Sequence, residues 1–310
     1  MRPVRLPSVS QSAFLRIAQV NAILVALNIV SGAAVRLSGS GLGCPDWPNC
    51  SSHQFTPALS LHPLIEFSNR MVVIIVTLAA VAALLAAIGR TPRRVDLVWL
   101  SSGLVLGVVA EALIGAVVVY TKLNPYSVLS HFLVGIVVLT DAIALALRAG
   151  RSDAPGTLWV DRRVVLLART MIGVLFVAIA AGTATTGAGP HAGAQNAAQR
   201  LAVPLEDVTR VHSGIVIILV VLTLATLRLM ARSGASDKAQ ERGRLLLLAM
   251  VIQGAIGYTQ YFTHLPPVLV GVHVAGATTV WVVTLWFYDG LWRYKPEAAM
   301  AHIAPVKAPA

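Results

Sequence analysis

The sequence predicts an all-α membrane protein of eight transmembrane helices, arranged as two tandem four-helix-bundle repeats. Three observations predict it. Of 310 residues, 56% are hydrophobic and 12% charged, and the mean hydropathy is +0.76, too apolar for a domain that must present a polar shell to water. Eight stretches are long and apolar enough to cross a bilayer, which takes about 20 residues. The second half of the chain also repeats landmarks of the first.

The first span, residues 13–35, follows a basic leader containing Arg2 and Arg5. It is too long for the apolar part of a secretory signal, and residues 36–44 offer no small-residue cleavage site, so it is read as an anchor. The second, 64–88, opens with Ile65-Glu-Phe-Ser-Asn-Arg70. The third, 95–119, contains Glu111-Ala-Leu-Ile-Gly115, and the fourth, 128–147, carries His131 and Gly135. The fifth, 164–186, runs into Gly187-Ala-Gly189, which echoes Gly39-Ser-Gly41 after the first. The sixth, 208–229, carries His212. The seventh, 245–262, contains Gln253-Gly-Ala-Ile-Gly257, the counterpart of residues 111–115. The eighth, 268–291, carries His273 followed by Gly276, and sixteen residues separate Gly257 from His273 just as they separate Gly115 from His131. Four spans return the chain to its starting side, so the repeats are parallel, with residues 1–150 and 151–310 as the two units. The Ala/Pro-rich segment after Lys295 is expected to be disordered.

A net charge of +11 could suggest nucleic acid, but the basic residues are sorted by side. Nineteen of the 24 Lys and Arg residues fall in the leader, the joins after even-numbered spans and the tail, leaving Arg36, Arg70, Lys122, Arg200 and Arg210 for the other face. That is the positive-inside bias, which puts both termini in the cytoplasm and excludes a nucleic-acid partner. The two cysteines, Cys44 and Cys50, then lie in the first outer loop, where the compartment permits a disulfide. A structural staple and a reducible pair beside a site are both open.

His131, His212 and His273 stand a few residues inside the outer ends of even-numbered spans, at similar depth. Neutral imidazoles from facing helices form a six-coordinate b-type heme site, and three at equivalent positions favour heme over a helix-bonding role for each. Zinc or copper is disfavoured, because no Cys, Met or carboxylate cluster accompanies them. The fourth equivalent position holds Asn69. Glu66 is one helical turn further out on the same face; a carboxylate there must be paired with Arg36 or Arg70, protonated, or functional. Glu111 is a second intramembrane acid, either functional or bonded to a neighbouring helix. His53, His62, His191, His264 and His302 fall in loops or at helix edges, with His62 the nearest alternative ligand to Asn69, and Trp47, Trp99, Trp159 and Trp292 read as interface anchors.

The sequence Ile65-Glu-Phe-Ser-Asn-Arg70, the loop Leu42-Gly-Cys-Pro-Asp-Trp-Pro48, the stretch Thr186-Gly-Ala-Gly-Pro-His-Ala-Gly193 and the three intramembrane histidines together resemble the heme A synthase family over nearly the whole chain, from about residue 20 to 291. The resemblance implies a bacterial plasma-membrane oxidoreductase that converts heme O to heme A, oxidising the porphyrin C8 methyl to a formyl group by two hydroxylations and a dehydration. It implies a heme b cofactor held by His212 and His273, heme O bound in the first half by His131 with Asn69 opposite, and Glu66 as the acid/base or cation-stabilising group at the methyl. It further implies heme O synthase and terminal-oxidase assembly as partners, an electron partner outside the chain, and leaves room for a homo-oligomer. Two departures stand out: family members often have His where this chain has Asn69, and some carry a second cysteine pair in the outer loop that here spans residues 193–207 without one. The competing reading is a cytochrome b that carries electrons and makes no product, with a transporter third. A carrier needs two symmetric, fully ligated hemes, and Asn69 with Glu66 breaks that symmetry.

Overall fold

The computed structural model describes residues 8–52, 54–152, 156–191, 193–194 and 199–294. The leader arginines Arg2 and Arg5, His53, His302, Lys295, Lys307 and the Ala/Pro-rich tail lie outside the described residues.

Among the described residues, eight long helices account for almost all of the structure: α1 (Gln11–Leu37), α2 (Leu61–Gly89), α3 (Val95–Tyr120), α4 (Pro125–Ala149), α5 (Arg162–Ala188), α6 (Leu205–Arg232), α7 (Asp237–Phe262) and α8 (Pro267–Asp289). Each is long and apolar enough to cross a membrane, and the chain is a multi-pass membrane protein. Two-residue strands, β1 (Thr157–Leu158) and β2 (Trp292–Arg293), pair antiparallel at the end that carries the basic joins.

Apolar runs set the helices, and local chemistry sets their ends. Ser10, Asn124, Asp161 and Ser236 cap α1, α4, α5 and α7 by accepting backbone N–H groups with their side chains. The cap at Ser236 explains the largest departure from the sequence reading: α7 starts at Asp237, eight residues before the apolar run at Leu245, because a capped polar segment prolongs the helix beyond the hydrocarbon. Short turns at the end away from the basic joins connect α3 to α4 and α7 to α8. Both reverse through two consecutive left-handed residues, Lys122-Leu123 and His264-Leu265, at φ between 51° and 62°. The two pairs are 142 residues apart, the offset that also relates His131 to His273 and Gly115 to Gly257.

Helix α1 packs on α2 and α4, and α3 closes that group; α5 packs on α6 and α8, and α7 closes the second. The groups meet through α1 with α8 and α4 with α5 and α8. At this seam the Trp281 indole N–H donates to Thr140 Oγ1 at 2.9 Å and the ring packs 6.1 Å from Phe176, satisfying the one polar atom of a buried aromatic. Large, fully buried side chains such as Phe14, Leu97, Leu145, Met230, Leu246 and Phe287 gather toward the basic end, forming a packed plug. The outward faces carry exposed apolar side chains, among them Leu27, Leu78, Leu106, Leu166 and Val221, as a lipid-facing surface requires. Toward the opposite end the packing gives way to a cavity.

Candidate functional site: a histidine-lined cavity

A continuous cavity of about 1120 Å³ opens between the helices and is lined by residues from all eight of them. His131, His212, His273, Asn69 and Glu66 all reach it, so the structure brings together every intramembrane residue singled out in the sequence. Trp47 and Pro48 of the first outer loop also line it, which moves Trp47 from interface anchor to cavity wall. His62 does not line it; its Nδ1 shares a 2.9 Å hydrogen bond with Ser40 Oγ.

In the second half, the ring centroids of His212 and His273 lie 6.4 Å apart with their planes at 79°. A metal–imidazole bond is about 2 Å and a ring nitrogen sits about 1 Å from its centroid, so two imidazoles on one iron have centroids roughly 6 Å apart. The centroid separation matches that spacing. His212 Nδ1 lies 2.9 Å from the Ala178 carbonyl, which can only accept, so Nδ1 carries the proton and Nε2 is left as the metal donor. The rings are seated against glycines on the preceding helices: a Cβ on Gly182 would meet His212 Cε1 at 3.0 Å, and one on Gly257 would meet His273 Cε1 at 3.0 Å. Gln253 donates through Nε2 to the His273 backbone carbonyl at 2.8 Å.

The first half is built differently. Asn69, on α2, accepts a 2.7 Å hydrogen bond from Ser31 Oγ on α1 through Oδ1, the atom by which an amide best binds a metal. His131 Nδ1 lies 3.0 Å from Glu111 Oε2 on α3. Glu66 is buried and has both oxygens engaged: Arg70 Nη2 donates to Oε1 at 2.6 Å, and the Cys44 backbone N–H donates to Oε2 at 2.8 Å. Of the two arginines the sequence offered as partners, Arg70 is taken. Its guanidinium also donates to the carbonyls of Cys44, Asp46 and Asn49 at 2.8 to 2.9 Å, gathering the loop that the Cys44–Cys50 disulfide closes. Arg36 instead donates to the carbonyls of His191 and Thr186, fastening the end of α1 to the outer loop of the second half. The Gly41 N–H donates to Gly193 O at 2.8 Å, and His191 Nε2 lies 2.7 Å from Leu265 O, so the outer loops of both halves form one joined cover.

Several of these features were not singled out in the sequence: Ser31, the glycine seat at Gly182 and the stitching role of Arg36. Asp141 was also passed over, although an acid within the apolar run of α4 is a visible signal; its Oδ2 is buried beside Gly103, away from the cavity.

Residues 16–201 match the COX15-CtaA family, described as cytochrome oxidase assembly protein, and that is more than half of the chain. The chain belongs to this family. Among the relatives of this COX15-CtaA member are heme A synthases from Geobacillus kaustophilus, 32% identical over 130 residues (40% of each chain), from Geobacillus thermodenitrificans, 33% over 133 residues (41% of each), and from Shewanella oneidensis, 30% over 153 residues (43% of this chain and 44% of the relative). The match spans about two fifths of the length of these relatives.

Proposed function

We propose that the protein is a heme A synthase: an oxidoreductase of the bacterial plasma membrane that takes heme O and oxidises its C8 methyl to a formyl group. Each hydroxylation adds one water oxygen and releases two electrons and two protons, taking the carbon from methyl to alcohol to gem-diol; loss of one water leaves the aldehyde, a four-electron oxidation overall whose electrons go to an electron acceptor outside the chain. The observation that carries the reading is the pairing, in one cavity, of a complete histidine site with an incomplete one. Named relatives that are heme A synthases agree with it.

The two halves divide the work. His212 and His273 would hold a heme b, which would supply electron transfer between the reacting site and an electron partner outside the chain. His131 binds heme O, with Asn69 on the facing helix as at most a weak second ligand. Glu66, one turn from Asn69 and with both oxygens held by Arg70 and Cys44, is placed to act as a fixed anion beside the methyl, stabilising positive charge that develops there, more than as a base free to swing. The joined outer loops and the packed inner plug limit water around the substrate. The basic residues at the plug end support cytoplasmic termini, with heme O synthase and the terminal-oxidase assembly as the neighbours that supply the substrate and consume the product.

The test is to extract heme from the purified full-length protein and identify it by mass. Heme B together with heme O, its hydroxylated form or heme A is expected; heme B alone would make the protein an electron carrier and overturn the assignment. Replacing His131 with Ala should remove heme O and its products while leaving heme B in place.

A further inference from the structure

Glu111 is the intramembrane acid that this reading has not used. It sits on α3 with its Oε2 3.0 Å from His131 Nδ1, an ion-pair distance at an angle too oblique for a hydrogen bond, so that His131 Nδ1 and Glu111 Oε1 are both buried without a hydrogen-bond partner. Glycines flank the meeting on both sides, where an added Cβ would stand in ordinary contact with it. Gly115, one turn along α3, would place a Cβ 3.6 Å from His131 Cε1, and Gly135, one turn along α4, would place one 3.6 Å from Glu111 Oε2.

The other two histidines are held otherwise. His212 gives its Nδ1 proton to a backbone carbonyl. At His273, the residue that corresponds to Glu111 is Gln253, and its amide bonds the histidine backbone, leaving the ring Nδ1 buried with no hydrogen-bond partner. Among the described residues, His131 alone of the three has a carboxylate at its ring. A carboxylate there fixes the tautomer with Nδ1 protonated, turns Nε2 to the metal and makes the imidazole a stronger donor than a neutral acceptor does. It does so at the one site where the opposite residue, Asn69, is a poor ligand whose oxygen is already shared with Ser31.

We propose that Glu111 is a positioning residue for the substrate heme, accepting the Nδ1–H of His131 and strengthening the single good axial bond by which heme O is held. The inference rests on His131 being the ligand of that heme. It accounts for a site that binds through one side chain without being weak.

The experiment uses full-length protein in detergent, loaded with heme O and reduced. A five-coordinate ferrous heme shows an iron–histidine stretching mode in resonance Raman spectra, to which a bis-histidine heme does not contribute. Glu111→Gln keeps the shape and removes the charge. It should shift the mode to lower frequency and weaken heme O binding about 10- to 100-fold, as loss of such a partner does at other metal sites, while the low-spin heme of His212 and His273 is retained. An unshifted mode with unchanged affinity overturns the proposal. Should Glu111→Gln lose the low-spin heme as well, Glu111→Asp, which draws the charge back by one methylene, serves instead: a lowered mode supports the proposal and an unshifted one overturns it. A wild-type protein that lacks the mode, or a His131→Ala variant that keeps it, would overturn the ligand assignment itself, an outcome distinct from failure of Glu111 alone.

Discussion

Replacing Arg70 with Met should loosen the first outer loop by an amount that the structure lets one work out. The guanidinium makes hydrogen bonds of 2.8 to 2.9 Å to the carbonyls of Cys44, Asp46 and Asn49 and one of 2.6 Å to Glu66. Methionine fills similar space but leaves Glu66 a buried carboxylate with the Cys44 N–H as its remaining hydrogen bond. Breaking a buried ion pair from one side costs about 3 to 5 kcal/mol. Because Arg70 retains some exposure, at 15%, the lower figure applies, and about 3 kcal/mol is roughly a hundredfold in the opening equilibrium of the loop. The Cys44–Cys50 disulfide reports that opening, since the two cysteines are 0% and 4% exposed and a soluble thiol reaches them through local unfolding. Reduction by excess thiol, followed by alkylation and mass spectrometry, should therefore be about a hundredfold faster in Arg70→Met. Arg70→Lys should recover only part of the loss, because an ammonium cannot reach all four acceptors. Combining Arg70→Met with Glu66→Gln should be milder than Arg70→Met alone, because no charge is left buried while the amide oxygen still accepts from Cys44. A reduction rate for Arg70→Met within threefold of wild type would refute the argument.

The remaining predictions concern the two heme sites and the topology. Gly257→Val adds a Cβ 3.0 Å from His273 Cε1 plus two methyls, overpacking that costs about 1 to 3 kcal/mol; heme B retention should fall about 10- to 100-fold in an absorption titration, and unchanged retention would show that the ring has room to spare. Asn69→His should supply a second strong ligand to the substrate heme, converting it to low spin by electron paramagnetic resonance and slowing heme A release; a spectrum identical to wild type would mean that position 69 does not face the iron. Cys44 and Cys50, once reduced, should react with a membrane-impermeant thiol reagent on intact cells, whereas labelling confined to lysed cells would invert the topology.

The fold was largely legible because a bilayer imposes it. A span must carry about 20 apolar residues, so the apolar runs located all eight helices, and their ends were missed mainly where a capped polar segment continues past the hydrocarbon, as Asp237 to Arg244 does in α7. His131 and His273 were legible through the sixteen-residue spacing they share, which marked Gly115 and Gly257 as landmarks before it was evident that each lies against its histidine. What stayed hidden depends on the path of a loop or on a contact across distant segments. Nothing in the spacing says that the Cys44 backbone N–H would reach Glu66, or that Arg36 would turn to carbonyls 150 and 155 residues away instead of to a carboxylate. Gly182 escaped for the same reason: thirty residues and an outer loop separate it from His212.

Under the proposed function, the differences between the halves have a common direction. The pair His212 and His273 is closed: two imidazoles at one-iron spacing, seated on glycines where even a methyl group would crowd the ring. Such a site gains from two strong bonds and suits a heme that stays. Around His131 the same framework has exchanged one histidine for an asparagine tied to Ser31 and one glutamine for a glutamate turned toward the imidazole. The first exchange removes an axial bond, which lowers affinity and leaves one face of the iron open; the second strengthens the bond that remains. A substrate heme needs both, because it must be oriented firmly enough for one particular methyl to lie near Glu66 and still depart as product. Orientation is served by a single rigid ligand as well as by two, whereas departure requires breaking every strong bond present, so one reinforced ligand is the arrangement that serves turnover.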